Sequence, residues 1–229
     1  MLWLGDWTYA VLIPGLLIAF GAQILVKSRY SSYSQQLAQS GITGQQMARM
    51  ILSQNGLQHV QIVQVAGTMS DHYDPRTETV NLSAEVFNGT SIASVSIAAH
   101  ECGHAVQHAE GYFLLKLRNA IVPVANLGTM LAFPLVFIGL IFEKITVLTD
   151  IGILLFAFAV LFQLCTLPVE INASQRAMDA IKCEGVMSVA EASGAKKMLT
   201  AAAMTYVAAL LVTALQFLRL LLIASQRRR

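Results

Sequence analysis

The sequence predicts a mainly α-helical integral membrane protein, with about four transmembrane helices and a small α+β domain. Three observations carry this. The 229 residues are 55% hydrophobic and only 12% charged, with a mean hydropathy of +0.60, whereas a soluble domain carries about 25% charge. Four segments are apolar over roughly the 20 residues that cross a hydrocarbon core. Between the first and second of them lies a polar stretch, residues 27 to 119, with both helical and alternating patterns. The net charge of +2 is too small to imply nucleic acid. The basic residues sit beside the apolar segments, where they set topology.

Residues 8 to 26 form the first apolar segment, preceded by Trp3 and Trp7 at the level of an interfacial aromatic belt. Lys27 and Arg29 follow it directly, whereas a signal peptide carries its positive charge before the apolar run. Residues 1 to 26 therefore read as an uncleaved anchor. Thr43 to Asn55 reads as a short amphipathic helix ended by Gly56. Val60 to Val65 mostly alternates, as a strand does, and Thr79 to Leu82 is a second strand candidate. Between them Asp71-His72-Tyr73-Asp74-Pro75-Arg76 has turn chemistry. A further helix is expected from Thr90 or Ser91 to Gly111.

Two long apolar runs follow, Ala120 to Phe142 and Thr146 to Leu167, with Pro123, Pro134 and Pro168 as starts, kinks or ends. The connection at Glu143 and Lys144 is so short that they form an antiparallel hairpin. Residues 120 to 168 are thus a transmembrane hairpin, and 169 to 198 carry a helix running from Val169 to about Glu184. Leu199 to Ala224 is the fourth span, with Arg219 placed to snorkel and Arg227, Arg228 and Arg229 as a basic tail, so 199 to 229 form the C-terminal piece. The cysteines Cys102, Cys165 and Cys183 form no C-x-x-C pair and no disulfide framework.

If all four spans cross, residues 27 to 119 and 168 to 198 share one side. Lys27, Arg29, Lys116, Arg118, Arg176, Lys182, Lys196 and Lys197 flank spans there. The positive-inside rule places that side in the cytoplasm and both termini outside. Lys144 and the terminal arginines lie on the other side; the arginine tail argues against this orientation, its second reading being that the last segment does not cross fully.

The chemistry concentrates in His100-Glu101-Cys102-Gly103-His104. Two histidines four apart on a helix share a face, about 40° apart in projection. They can hold one zinc ion, with Glu101 beside the water it activates. Cys102 is two residues from each histidine, points away from both and reads as packing. A catalytic zinc needs a third protein ligand and an open position. His108 lies one turn past His104 and reads as lining the site; Glu170, at the site-facing end of a span, is the stronger candidate. Its competing reading is an N-terminal dipole partner in the first turn of a new helix.

DHYDPRTETVNLS, AAHECGHAVQH and LPVEINASQRA resemble the motifs of the neutral zinc metallopeptidases of the YugP type, which are bacterial membrane proteins. More remotely the chain is similar to the HtpX and CAAX-prenyl-protease class, where a downstream E-x-x-A-D segment supplies a glutamate ligand. The resemblance implies a zincin-like catalytic domain on the His-Glu-x-x-His helix. It implies one zinc per chain on His100, His104 and Glu170, with Glu101 as general base. The chain departs from the distant class at Ser174, which stands where that class has an aspartate. Asn172, Arg176, His72, Tyr73 and His108 are candidates for an oxyanion donor or a supporting position. The segment with His72 and Tyr73 is also where such peptidases have an edge strand that pairs with an extended peptide; its other reading is a hairpin turn.

The expected function is a membrane-embedded zinc endopeptidase in the bacterial plasma membrane. Its substrate would be a membrane-attached or unfolded protein, and its role membrane-protein quality control. Its partners are the lipid bilayer and the peptide; no pattern indicates an oligomer. One rival is a non-catalytic membrane protein with a structural zinc, completed by His108 as fourth ligand. An intramembrane protease is a weaker option, because His100 follows a polar region.

Overall fold

The computed structural model describes residues 7–142 and 145–227. Trp3, Glu143, Lys144, Arg228 and Arg229 lie outside the described residues, as does the Arg227 side chain. A 3-10 turn at Trp7–Leu12 leads into α1 (Ile13–Ser34), then α2 (Gly44–Gln54), β1 (Gln61–Val65), β2 (His72–Asp74) and β3 (Thr79–Ser83). The short α3 (Ala84–Asn88), α4 (Ile92–Ala109), α5 (Phe113–Ile141), α6 (Thr146–Cys183) and α7 (Val189–Arg227) follow. Among the described residues, four helical segments are long and apolar enough to cross a membrane: Trp7–Ser34, Phe113–Ile141, Val147–Cys183 and Val189–Gln226. The chain divides into two compact units.

One unit comprises Met1–Gln23, Lys116–Leu167 and Thr205–Arg229. Its surface is apolar, with Leu16, Leu17, Phe20, Met130 and Leu154 all exposed. Water disfavours such a surface and lipid accepts it. Small residues let its helices approach closely: Gly128 of α5 faces the Leu155 carbonyl, and Gly152 of α6 faces the Ala132 carbonyl. These pairs run in opposite directions along the two helices, the antiparallel hairpin expected of a very short connection. Arg219 differs from its expectation. It is buried rather than snorkelling, donates from Nε to Thr8 Oγ1 at 3.2 Å and lies 3.7 Å above the Tyr9 ring. A cation–π contact and a hydroxyl replace water around the guanidinium.

The other unit comprises Ile24–Leu115 and Pro168–Met204. Thr43 caps α2 through a capping box with Gln46. The sheet order is β1-β3-β2, with β1 parallel and β2 antiparallel to β3. The segment expected as turn chemistry thus contains a short edge strand before its turn. Asp71 secures it, accepting the Ser83 N–H at 2.7 Å and the Ser83 hydroxyl at 3.2 Å. Helix α4 starts at the Ser91 cap, whose Oγ accepts the Ser94 N–H. It ends before Gly111, which takes the left-handed φ of +67° that glycine tolerates. It is buried almost all round, packed among Met47, Leu52, Val80, Leu82 and Ile181.

The expected break at Pro168 does not occur, because α6 runs through it. Proline removes one helical N–H and crowds the preceding turn, at about 3 kcal/mol. Packing downstream outweighs that: Val169, Ala173, Ala177 and Ile181 recur every four residues and are fully buried. Glu170 therefore sits inside a long helix, not in the first turn of a new one, and the dipole reading lapses. Likewise α7 begins at Val189, ten residues before the apolar run, since a helical backbone can extend past the stretch lipid selects.

Candidate metal centre

Helix geometry places His100 and His104 on one face of α4, with ring centroids 4.8 Å apart and edge to face. Helix α6 presents Glu170 to both. Its Oε2 lies 3.4 Å from His100 Nε2 and 3.5 Å from His104 Nε2. One atom from each residue falls within 4.8 Å of the others, a spacing that can hold a metal ion. The three side chains are only 15%, 12% and 5% exposed, so the cluster is shielded from bulk water.

Close approach of the two helices depends on Gly103. A Cβ there would lie 2.7 Å from the Ala173 carbonyl oxygen, a backbone atom that cannot swing aside. A mid-helix glycine costs about 1 kcal/mol relative to alanine, yet here only glycine fits. Gly103→Ala therefore sets a propensity gain of about 1 kcal/mol against overpacking worth about 1–3 kcal/mol. The overpacking should win, giving lower thermal stability and weaker zinc uptake by the purified protein. A higher melting temperature with unchanged zinc uptake would refute it.

Each imidazole is held at its far nitrogen. His104 Nδ1 lies 3.0 Å from Gln107 Oε1, and His100 Nδ1 lies 3.1 Å from Ser174 Oγ. Ser174 thus supplies a hydrogen-bond partner to a cluster histidine from the position where the distant class has aspartate. Burial by itself would lower the His104 pKa. The Glu170 hydrogen bond, the charges of Glu101 and Glu170, and the Gln107 contact outweigh it and hold the imidazole above its usual value. A proton and a metal would compete for that ring.

Glu101 is buried on the same helix, and its Oε2 accepts the Tyr73 N–H at 3.0 Å. Edge strand β2 thereby ties to the helix through the glutamate next to the cluster. Burial first, then the carboxylates of Glu78 and Asp74, push the Tyr73 phenol up to about 12. It stays protonated, and its hydroxyl lies 2.9 Å from His108 Nδ1, within hydrogen-bond reach. His108 is outside the metal-capable group, which holds His100, His104 and Glu170 among the described residues. His72 is exposed and donates from Nδ1 to the Ser70 carbonyl. Asn172 and Arg176 face Gln107 and Glu110. Cys102 is fully buried towards α2, with Sγ 3.6 Å from the Ala48 carbonyl oxygen. Reading the sequence missed Gly103 and Gln107. A glycine in the middle of a buried helix was the available sign of the first, and no local sign marks the second.

A shielded His/His/Glu cluster that can hold a metal ion, beside a buried glutamate, and four membrane-length helices among the described residues are the features of a membrane protein with a candidate metal centre. The chain belongs to the family described as "Putative neutral zinc metallopeptidase", which it matches over residues 8–225. It is similar to the "Putative membrane protease YugP" of Bacillus subtilis (strain 168), at 48% identity over 211 residues covering 92% of this chain and 93% of that protein. No solved structure matches the chain.

Proposed function

We propose that the chain is a membrane-embedded zinc endopeptidase of the gluzincin-like kind, with one zinc on His100, His104 and Glu170. The observation that carries the reading is the convergence of these three donors within 4.8 Å. Two imidazoles and a carboxylate suit a catalytic zinc, which keeps a fourth position open. Bound there, zinc supplies Lewis acidity and makes water acidic enough to act near pH 7.

The remaining work falls to the protein. Glu101, oriented by the Tyr73 N–H on its Oε2, accepts the proton from water and returns it to the leaving amine. An extended stretch of substrate lies along β2 and bonds to backbone groups other than the Tyr73 N–H, which Glu101 already holds. Residues 27 to 119 and 169 to 198 form the catalytic part. By the positive-inside rule it faces the cytoplasm across the bacterial plasma membrane. Its substrates are unfolded or membrane-attached proteins, and its role is membrane-protein quality control.

Full-length protein purified in detergent and stripped with a chelator should lose cleavage of an unfolded test protein. Added zinc should restore it. Undiminished cleavage by metal-free protein would sink the reading. A C-terminal reporter active on one side of the membrane tests the orientation; activity in the cytoplasm would overturn it.

A further inference from the structure

We infer that Gln107 is a positioning residue that locks His104 in the tautomer able to bind metal, through a hydrogen-bond chain reaching an ion pair at the surface. The inference rests on the metal-centre reading above and adds a residue to it. Gln107 lies three residues past His104 on α4 and is fully buried. Its Nε2 donates to the Val169 carbonyl at 2.8 Å and to Asn172 Oδ1 at 2.9 Å, both on α6. Arg176 donates from Nε to that same Asn172 oxygen at 2.9 Å and from Nη2 to Glu110 Oε2 at 2.6 Å.

The polarity of this chain is forced from both ends. A backbone carbonyl can only accept, so the Gln107 atom facing Val169 is its nitrogen. A guanidinium can only donate, so the Asn172 atom facing Arg176 is its oxygen, which again calls for the Gln107 nitrogen opposite. The remaining Gln107 atom, 3.0 Å from His104 Nδ1, is therefore the oxygen. An oxygen acceptor there requires a proton on Nδ1, which leaves the Nε2 lone pair directed at the cluster with Glu170. An outer partner of this kind fixes both ring orientation and tautomer, and losing one costs about 10–100-fold in metal affinity.

The same bonds clamp α4 to α6, so the test must separate positioning from packing. Zinc affinity, by competition with a chromophoric chelator, and thermal unfolding are measured on full-length protein with Gln107→Leu and Gln107→Glu. Leucine fills the space without an acceptor, and zinc should bind about 10–100-fold more weakly. Glutamate keeps an oxygen opposite Nδ1, and affinity should stay within about threefold of the native protein or rise, since a carboxylate strengthens a ligand histidine. That rescue should hold even where the melting temperature falls. Native affinity in Gln107→Leu, or equal losses in both variants, would overturn the inference while leaving the metal centre intact. Should Gln107→Leu fail to fold, Gln107→Met, unbranched and likewise without an oxygen acceptor, takes its place with the same two outcomes. Failure of the native protein to bind zinc would overturn the metal centre itself.

Discussion

Glu101→Gln should keep zinc and lose peptide hydrolysis. Glutamine matches glutamate in shape, and its carbonyl oxygen can still accept the Tyr73 N–H that now meets Oε2 at 3.0 Å. The local structure therefore persists, and His100, His104 and Glu170 are untouched. What disappears is an atom able to take a proton. General acid–base catalysis contributes about 10²–10⁴-fold, and turnover should fall by that order. Zinc content and cleavage of an unfolded protein, measured on the same preparation, check both halves. Full activity would remove Glu101 from the mechanism. Lost zinc would instead give the residue a role in building the site.

Glu170→Ala should act on the metal first and on activity through it. The carboxylate is buried and lies 3.4 and 3.5 Å from the two imidazole Nε2 atoms. Its removal leaves two neutral donors, so zinc affinity should fall by more than the roughly 10–100-fold that an outer partner is worth. The helix should survive, because Val169, Ala173, Ala177 and Ile181 still bury its seam. The expected preparation is folded, poor in zinc and inactive, with partial recovery at high zinc concentration. Native zinc content in this variant would show that the three donors do not meet on one ion.

Much of the molecule was legible because it rests on local periodicity or composition. Apolar length marked four segments that the structure makes helical, and the Ser91 cap and Gly111 bracket α4 as their chemistry suggests. Strands form near residues 61 and 79, where the mostly alternating Val60 to Val65 and the candidate Thr79 to Leu82 predict them. Local rules failed where distant packing opposed them. Pro168 looked like a helix boundary, but the fully buried seam after it keeps α6 continuous. Arg219 looked free to reach water, but Thr8 and Tyr9, some 200 positions earlier, hold it; the Thr8 contact spans 211 residues.

The metal centre divides along the same line. The 3.6-residue repeat is enough to set His100 and His104 side by side, with Glu101 between them, because a helix carries that geometry within one turn. Nothing so local can measure the distance from those imidazoles to a carboxylate on another helix. Ser174 meets His100 across 74 positions, and Gln107 meets Val169 and Asn172 across 62 and 65. Those meetings exist because Gly103 has no side chain where it crosses Ala173. Helical spacing thus wrote the histidine pair into the chain, while helix-on-helix packing brought the third donor and the groups that orient the rings.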